Sequence, residues 1–270
     1  MRLGISSYTY GWAVGIPGHP PEHPMRPFDL LDHARELGVS VVQIADNMPL
    51  DALSPDDLNA LADRAGEMGI TVEVGMRGAE VERLCAYLDI AKRFDSPILR
   101  VVPAHPEGEP EEDEIVSALR PVRPECERAG VCLAVENYEH FTAEVWARIV
   151  RSVGGPAVGA CLDTTNSLGA GEGIVQVVEA LGPLAVNLHV KDFVTRRLEH
   201  RLGLVVAGCP AGQGLLDIPW LLGRLREMGR DPNAILELWT APEERLADTI
   251  AKEAEWARAS VAYMRTLIPG

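Results

Sequence analysis

The chain has 270 residues, 47% of them hydrophobic, which permits a large core and excludes global disorder. A formal net charge of −15 repels phosphate backbones, so no nucleic-acid partner is expected. There are five cysteines, none in a CxxC pair, no signal peptide before the first strand, and no apolar run near the roughly 20 residues of a membrane helix; a cytoplasmic protein with reduced thiols is expected.

In chain order, short apolar runs begin at Leu3 (LGISSYTY), Val41 (VVQIAD), Thr71 (TVEVGM) and Ile98 (ILRVV). Four more begin at Val131 (VCLAVEN), Val158 (VGACLD), Val186 (VNLHVKD) and Ala234 (AILELW). Near-continuous apolar runs of this length mark parallel strands covered on both faces. The segments between them read as amphipathic helices. Residues 27–38 start with Pro and stop at Gly. Residues 54–69 carry Ser54 as N-cap, Pro55 at the first helical position and Asp56 and Asp57 in the first turn. Asp217 caps another helix, and the last is expected from about Pro242 to Leu267.

Eight strand–helix units at a spacing of roughly 30 residues predict the α/β class and a closed (β/α)₈ TIM barrel, as a single domain over residues 1–270. The rival is a doubly wound open sheet. It calls for a glycine fingerprint after the first strand, where this chain has GWAVGIPGHPPEHP. The proline- and histidine-rich stretch from Gly15 to Pro27 reads as a long first loop or lid.

Active sites of such barrels sit at the C-terminal ends of the strands. There the fifth run carries Glu136, the sixth Asp163, the seventh His189 and Lys191, and the eighth Glu237. Three converging carboxylates repel one another unless a cation neutralises them. A set of two Glu, one Asp and one His is mostly oxygen, which suits one divalent metal ion, Mn²⁺, Mg²⁺ or Co²⁺, with Zn²⁺ also accommodated. Such an ion polarises a substrate carbonyl and stabilises the enediolate next to it.

The segments AVEN at Ala134, CLDTTNS at Cys161, NLHVKD at Asn187, PAGQGLLDIPWLL at Pro210 and ILELW at Ile235 resemble the xylose-isomerase-like sugar isomerase/epimerase family. The resemblance runs the length of the chain. It implies the same barrel and one divalent metal on Glu136, Asp163, His189 and Glu237. It also implies that Glu136 and Glu237 move protons on opposite faces of a sugar. Many members carry His three residues after the metal-binding Asp, where this chain has Asn166. Segments such as VVQIADNMPL and NLHVKDFVTRR resemble a subgroup that includes 3-oxo-isoapionate decarboxylase. That implies a 3-oxo sugar acid and loss of CO₂.

Further polar residues fall at strand ends: Gln43 and Asp46, Arg77, Arg100, and His105 after the fourth strand. Arg100 reads as a carboxylate or phosphate anchor, or as the salt-bridge partner of Glu73 or Glu136. Gln43, Asn166 and Arg201 read as substrate contacts, and Lys191 as an electrostatic catalytic group. The basic cluster 196–201 reads as a rim loop, Asp192 as a structural group, and the GQG at Gly212 as a tight turn. The leading expectation is metal-dependent enolate chemistry on a small sugar or sugar acid, in a homodimer or tetramer. Two other classes are a zinc endonuclease of DNA repair (endonuclease IV-like) and a non-catalytic sugar-binding barrel. Seven histidines and the acidic charge weigh against the first, and the clustered carboxylates against the second.

Overall fold

The structure is a computed structural model describing residues 1–104 and 108–269. His105 lies outside the described residues. The strands are β1 (Leu3–Ser6), β2 (Val41–Ile44), β3 (Thr71–Arg77), β4 (Ile98–Val102) and β5 (Cys132–Glu136). They continue with β6 (Val158–Asp163), β7 (Ala185–Val190), β8 (Asp192–Arg197), β9 (Leu204–Cys209) and β10 (Asn233–Leu236). Eight of them close a parallel barrel in the order β1-β10-β7-β6-β5-β4-β3-β2. The remaining two, β8 and β9, pair antiparallel as a hairpin. The (β/α)₈ fold expected from the repeat of apolar runs is therefore present. Barrel strands are buried along nearly their whole length, as both faces are covered by side chains.

Helix boundaries follow local chemistry. Pro55–Glu67 begins where the Ser54 hydroxyl accepts the Asp57 N–H, and Ile218–Glu227 begins where the Asp217 carboxylate accepts the Trp220 N–H. Gly38 ends Pro27–Leu37 in the left-handed conformation at φ 67°.

Three elements differ from expectation. The first strand stops at Ser6, because Ser6 and Thr9 cap one another and turn residues Ser7–Tyr10 into a 3₁₀ helix. The last helix starts at Leu246, not near Pro242. The Glu243 N–H goes to Thr249 Oγ1 and Lys252 Nζ to the Ala241 carbonyl, which holds the preceding segment outside the helix. The basic cluster is a hairpin, not an irregular loop: Thr195 pairs with Val206 and Arg196 with Val205.

One irregularity matters for the site. Between β6 and β7 the register runs Ala160↔Ala185 and then Cys161↔Asn187, so Val186 is bulged out. The shift places His189 directly opposite Asp163. Gly159 makes room for it, since a Cβ there would stand 2.4 Å from Val186 Cγ1 and 2.8 Å from the Leu184 carbonyl.

Candidate metal centre and active site

Glu136 ends β5, Asp163 ends β6, His189 lies in β7, and Glu237 follows β10 by one residue. All four are at most 1% exposed. His189 Nδ1 stands 3.4 Å from Glu136 Oε2, 3.6 Å from Asp163 Oδ2 and 3.5 Å from Glu237 Oε1. Among the described residues, Asp163 Oδ2, His189 Nδ1 and Glu237 Oε1 are buried without a hydrogen-bond partner. Lys191 Nζ does reach Asp163 Oδ2 at 2.7 Å, as an ion pair lacking hydrogen-bond geometry. Buried orphans of this kind are rare and call for an explanation. Here three of them, from three strands, face one point.

The supports of these atoms explain their aim. Asp163 Oδ1 accepts the backbone N–H of Thr165 and of Asn166, both at 2.8 Å, which turns Oδ2 toward the centre. His189 Nε2 lies 2.7 Å from Gln43 Oε1, an atom that can only accept, so Nε2 carries the hydrogen. The Nδ1 lone pair of a neutral His189 then faces the carboxylates. A second N–H on His189 or a divalent cation satisfies that arrangement, and the donor set of carboxylate oxygens and one imidazole suits the cation. Glu136, Asp163, His189 and Glu237 thus fit a divalent ion.

Burial opposes every charge here, and the neighbours decide the outcome. Arg100, donating Nε to Glu136 and Nη1 to Asp46 at 2.6 Å, overrides the burial of Glu136 and, with His189, lowers its pKa to about 2. Burial is likewise outweighed at Asp163 by Lys191 and His189, and its carboxyl is held well below the usual range. Asp46 is held low by Arg100 and Arg77 against its own burial. Lys191 lies between Asp163 and Glu237, 2.9 Å from Glu237 Oε2, and these carboxylates raise its ammonium pKa despite burial. Asn166 donates to Glu136 Oε1 at 3.1 Å and accepts from Lys191 Nζ at 3.4 Å. Without a cation, the carboxylates of Glu237, Glu136 and Asp163 overcome burial to raise the pKa of His189.

Above this floor lies a cavity of about 260 Å³. Arg100, Asn166, Lys191, Glu136 and Glu237 reach it from below, and Tyr8, Arg77, Tyr138 and Trp239 form walls. The structure thus brings together most of the residues read from the sequence and separates two. Gln43 is fully buried one layer below the cavity, bonded to His189 rather than open to substrate. Arg201 is exposed in the turn of the β8–β9 hairpin, outside the cavity lining; its φ of 63° and the Arg197 bond to its carbonyl fit a turn residue. Asp192 has the structural environment its strand parity suggested: its carboxylate accepts the N–H groups of Phe193, Gly212, Gly214 and Leu216. Of the aromatics that follow β1, Tyr8 lines the cavity, while Trp12 donates to the Thr240 carbonyl and Tyr10 stacks on His33.

The sequence reading passed over Trp239, whose ring lies 5.5 Å from Lys191 Nζ, and Tyr138, which bonds Glu109 at the rim. It also passed over Asn187 and weighed Glu73 only as a partner for Arg100. Their inward parity with His189 and Gln43 was the available signal.

Comparison with known proteins matches residues 31–267 to the family described as xylose isomerase-like TIM barrel. The whole chain is 34% identical, over 271 residues, to 97% of 3-oxo-isoapionate decarboxylase of Pectobacterium atrosepticum. D-Psicose 3-epimerase of Clostridium cellulolyticum with D-tagatose shares the fold at a TM-score of 0.75, with 16% identity and 99% of each chain covered. A xylose isomerase-like TIM barrel protein of Mycobacterium smegmatis in complex with magnesium does so at 0.68, with 17% identity and 97% of each covered.

Proposed function

The chain belongs to the xylose isomerase-like TIM barrel family, and we propose that it is a divalent-metal-dependent enzyme forming an enolate or enediolate on a sugar or sugar acid. The observation that carries this reading is the set of unpartnered atoms on Asp163, His189 and Glu237, converging beside Glu136 under a substrate-sized cavity. When bound by these four residues, a divalent ion supplies Lewis-acid polarisation of a substrate carbonyl. Lys191 places a fixed positive charge beside the oxygen where enolate charge develops, and its raised pKa keeps it charged at neutral pH. Arg100 and Arg77 add two cations at the same wall.

A finer reading, decarboxylation of a 3-oxo sugar acid, is favoured by the unequal glutamates and by the decarboxylase relative. Epimerisation needs one glutamate to take a proton and the other to return it. Glu136, whose two oxygens are taken by Arg100 and Asn166, is a poor base. Decarboxylation removes no C–H proton. The bond to the carboxylate carbon breaks, CO₂ leaves, and the electron pair enters the neighbouring carbonyl. The enolate carbon then takes one proton, for which the Lys191 ammonium, held between Asp163 and Glu237, is the donor in place, and solvent returns a proton to Lys191. Incubation with 3-oxo sugar acids and with ketoses, monitoring CO₂ and ketose interconversion, tests this reading. CO₂ from the acids is expected; ketose interconversion without CO₂ would contradict decarboxylation and leave the epimerase.

A further inference from the structure

Beneath the candidate metal centre the barrel interior holds a buried carboxylate that the proposed chemistry does not use. Glu73, in β3, is fully buried, and among the described residues its hydrogen-bond partners are three side-chain amides. Glu73 Oε2 accepts from Gln43 Nε2 at 3.1 Å and Asn187 Nδ2 at 2.8 Å, and Oε1 accepts from Asn233 Nδ2 at 2.8 Å. Every neighbour offers N–H, so each amide is fixed with its NH₂ toward Glu73. Gln43 also donates to Asn187 Oδ1 at 3.0 Å, which commits its NH₂ further. The remaining atom of that amide, Oε1, therefore points at His189 Nε2, 2.7 Å away.

We propose that Glu73 is a positioning residue for the metal centre, acting through Gln43 to hold the His189 ring with its hydrogen on Nε2 and its Nδ1 lone pair toward the ion. The inference rests on reading the centre as a divalent-metal site. An amide alone has no such direction: it can present C=O or NH₂ to an imidazole with nearly equal ease. A carboxylate behind it makes the NH₂-outward orientation costly, because that would set an oxygen against an oxygen in a buried layer. Three strands, β2, β3 and β7, are thus tied to one ligand, with Asn233 anchoring Glu73 from a fourth.

The test uses the full chain, stripped of metal and titrated with Mn²⁺ in competition with a chelator, with circular dichroism to check the fold. In Glu73→Gln the Gln43 amide is free to turn its NH₂ to Nε2, which forces the hydrogen to Nδ1; Mn²⁺ affinity is expected to fall about 10- to 100-fold. The exchanged pair Gln43→Glu with Glu73→Gln restores an obligate acceptor at Nε2 with the same atoms in the layer. It is expected to recover most of the affinity, which a merely space-filling role does not predict. Gln43→Leu, which removes the acceptor without adding charge, is expected to weaken Mn²⁺ similarly and carries the test if the charged variants fail to fold. Wild-type affinity in a folded Glu73→Gln or Gln43→Leu, or no recovery in the exchanged pair, would overturn the proposal. Absence of Mn²⁺ binding by the wild type itself would instead overturn the metal reading.

Discussion

At the scale of single residues, the site divides its work between ligands and cations. Glu237 has one oxygen toward the metal position and the other on Lys191. Glu237→Gln keeps the shape and removes the charge; turnover is expected to fall by about 10²–10⁴ with the thermal midpoint little changed. Retained turnover would remove Glu237 from the mechanism. Lys191 shares Asp163 Oδ2 with the position proposed for the ion. Lys191→Met should therefore bind Mn²⁺ more tightly while turnover falls roughly 10²-fold, a split that kinetics and a metal titration would read separately. Loss of both together would mean that Lys191 only supports the fold. Much of this was legible in the sequence: four ligand-type residues at consecutive strand ends needed only strand parity. The role of Gln43 was not, because a polar strand-end residue reads the same whether it meets substrate or a ligand's far side.

Individual elements set the ligand geometry through departures from regularity. The bulge at Val186 is the clearest case, for without it Asp163 would pair with Leu188 instead of His189. Gly159 packs under Val186 with no space for a side chain. Gly159→Ala is expected to cost about 1–3 kcal/mol in denaturant unfolding and to weaken metal binding; wild-type stability would show that the bulge yields without strain. A register shift leaves no mark in an apolar run such as VNLHVKD, so sequence reading could place His189 at the rim but not opposite Asp163. The β8–β9 hairpin was missed for a related reason. Its alternation was readable, yet the eight runs already closed a barrel, and short pairs outside it resemble loop.

For the whole molecule, the fold was the most legible level, since eight repeated strand–helix units have few ways to close. Ties between distant segments were the least. Glu253, on the last helix and 1% exposed, accepts the N–H groups of Trp12 and Ala13, each at 3.1 Å, and so fastens the segment after β1 to the C-terminal helix. Burial outweighs these bonds and raises its pKa from 4.5 to about 7. A carboxyl whose pKa is higher in the folded state stabilises below 4.5, and that contribution is lost as pH rises toward 7. Wild type should thus lose stability relative to Glu253→Gln between those pH values, as measured by urea unfolding across pH. Parallel curves would show that Glu253 titrates normally.

The central claim, a divalent-metal centre on four strands, is tested most directly by calorimetric titration of chelator-treated protein with Mn²⁺. The account predicts one ion per chain, with binding abolished in His189→Ala and Asp163→Ala. A folded wild type that takes up no Mn²⁺, Mg²⁺, Co²⁺ or Zn²⁺, or whose uptake survives both substitutions, would contradict it.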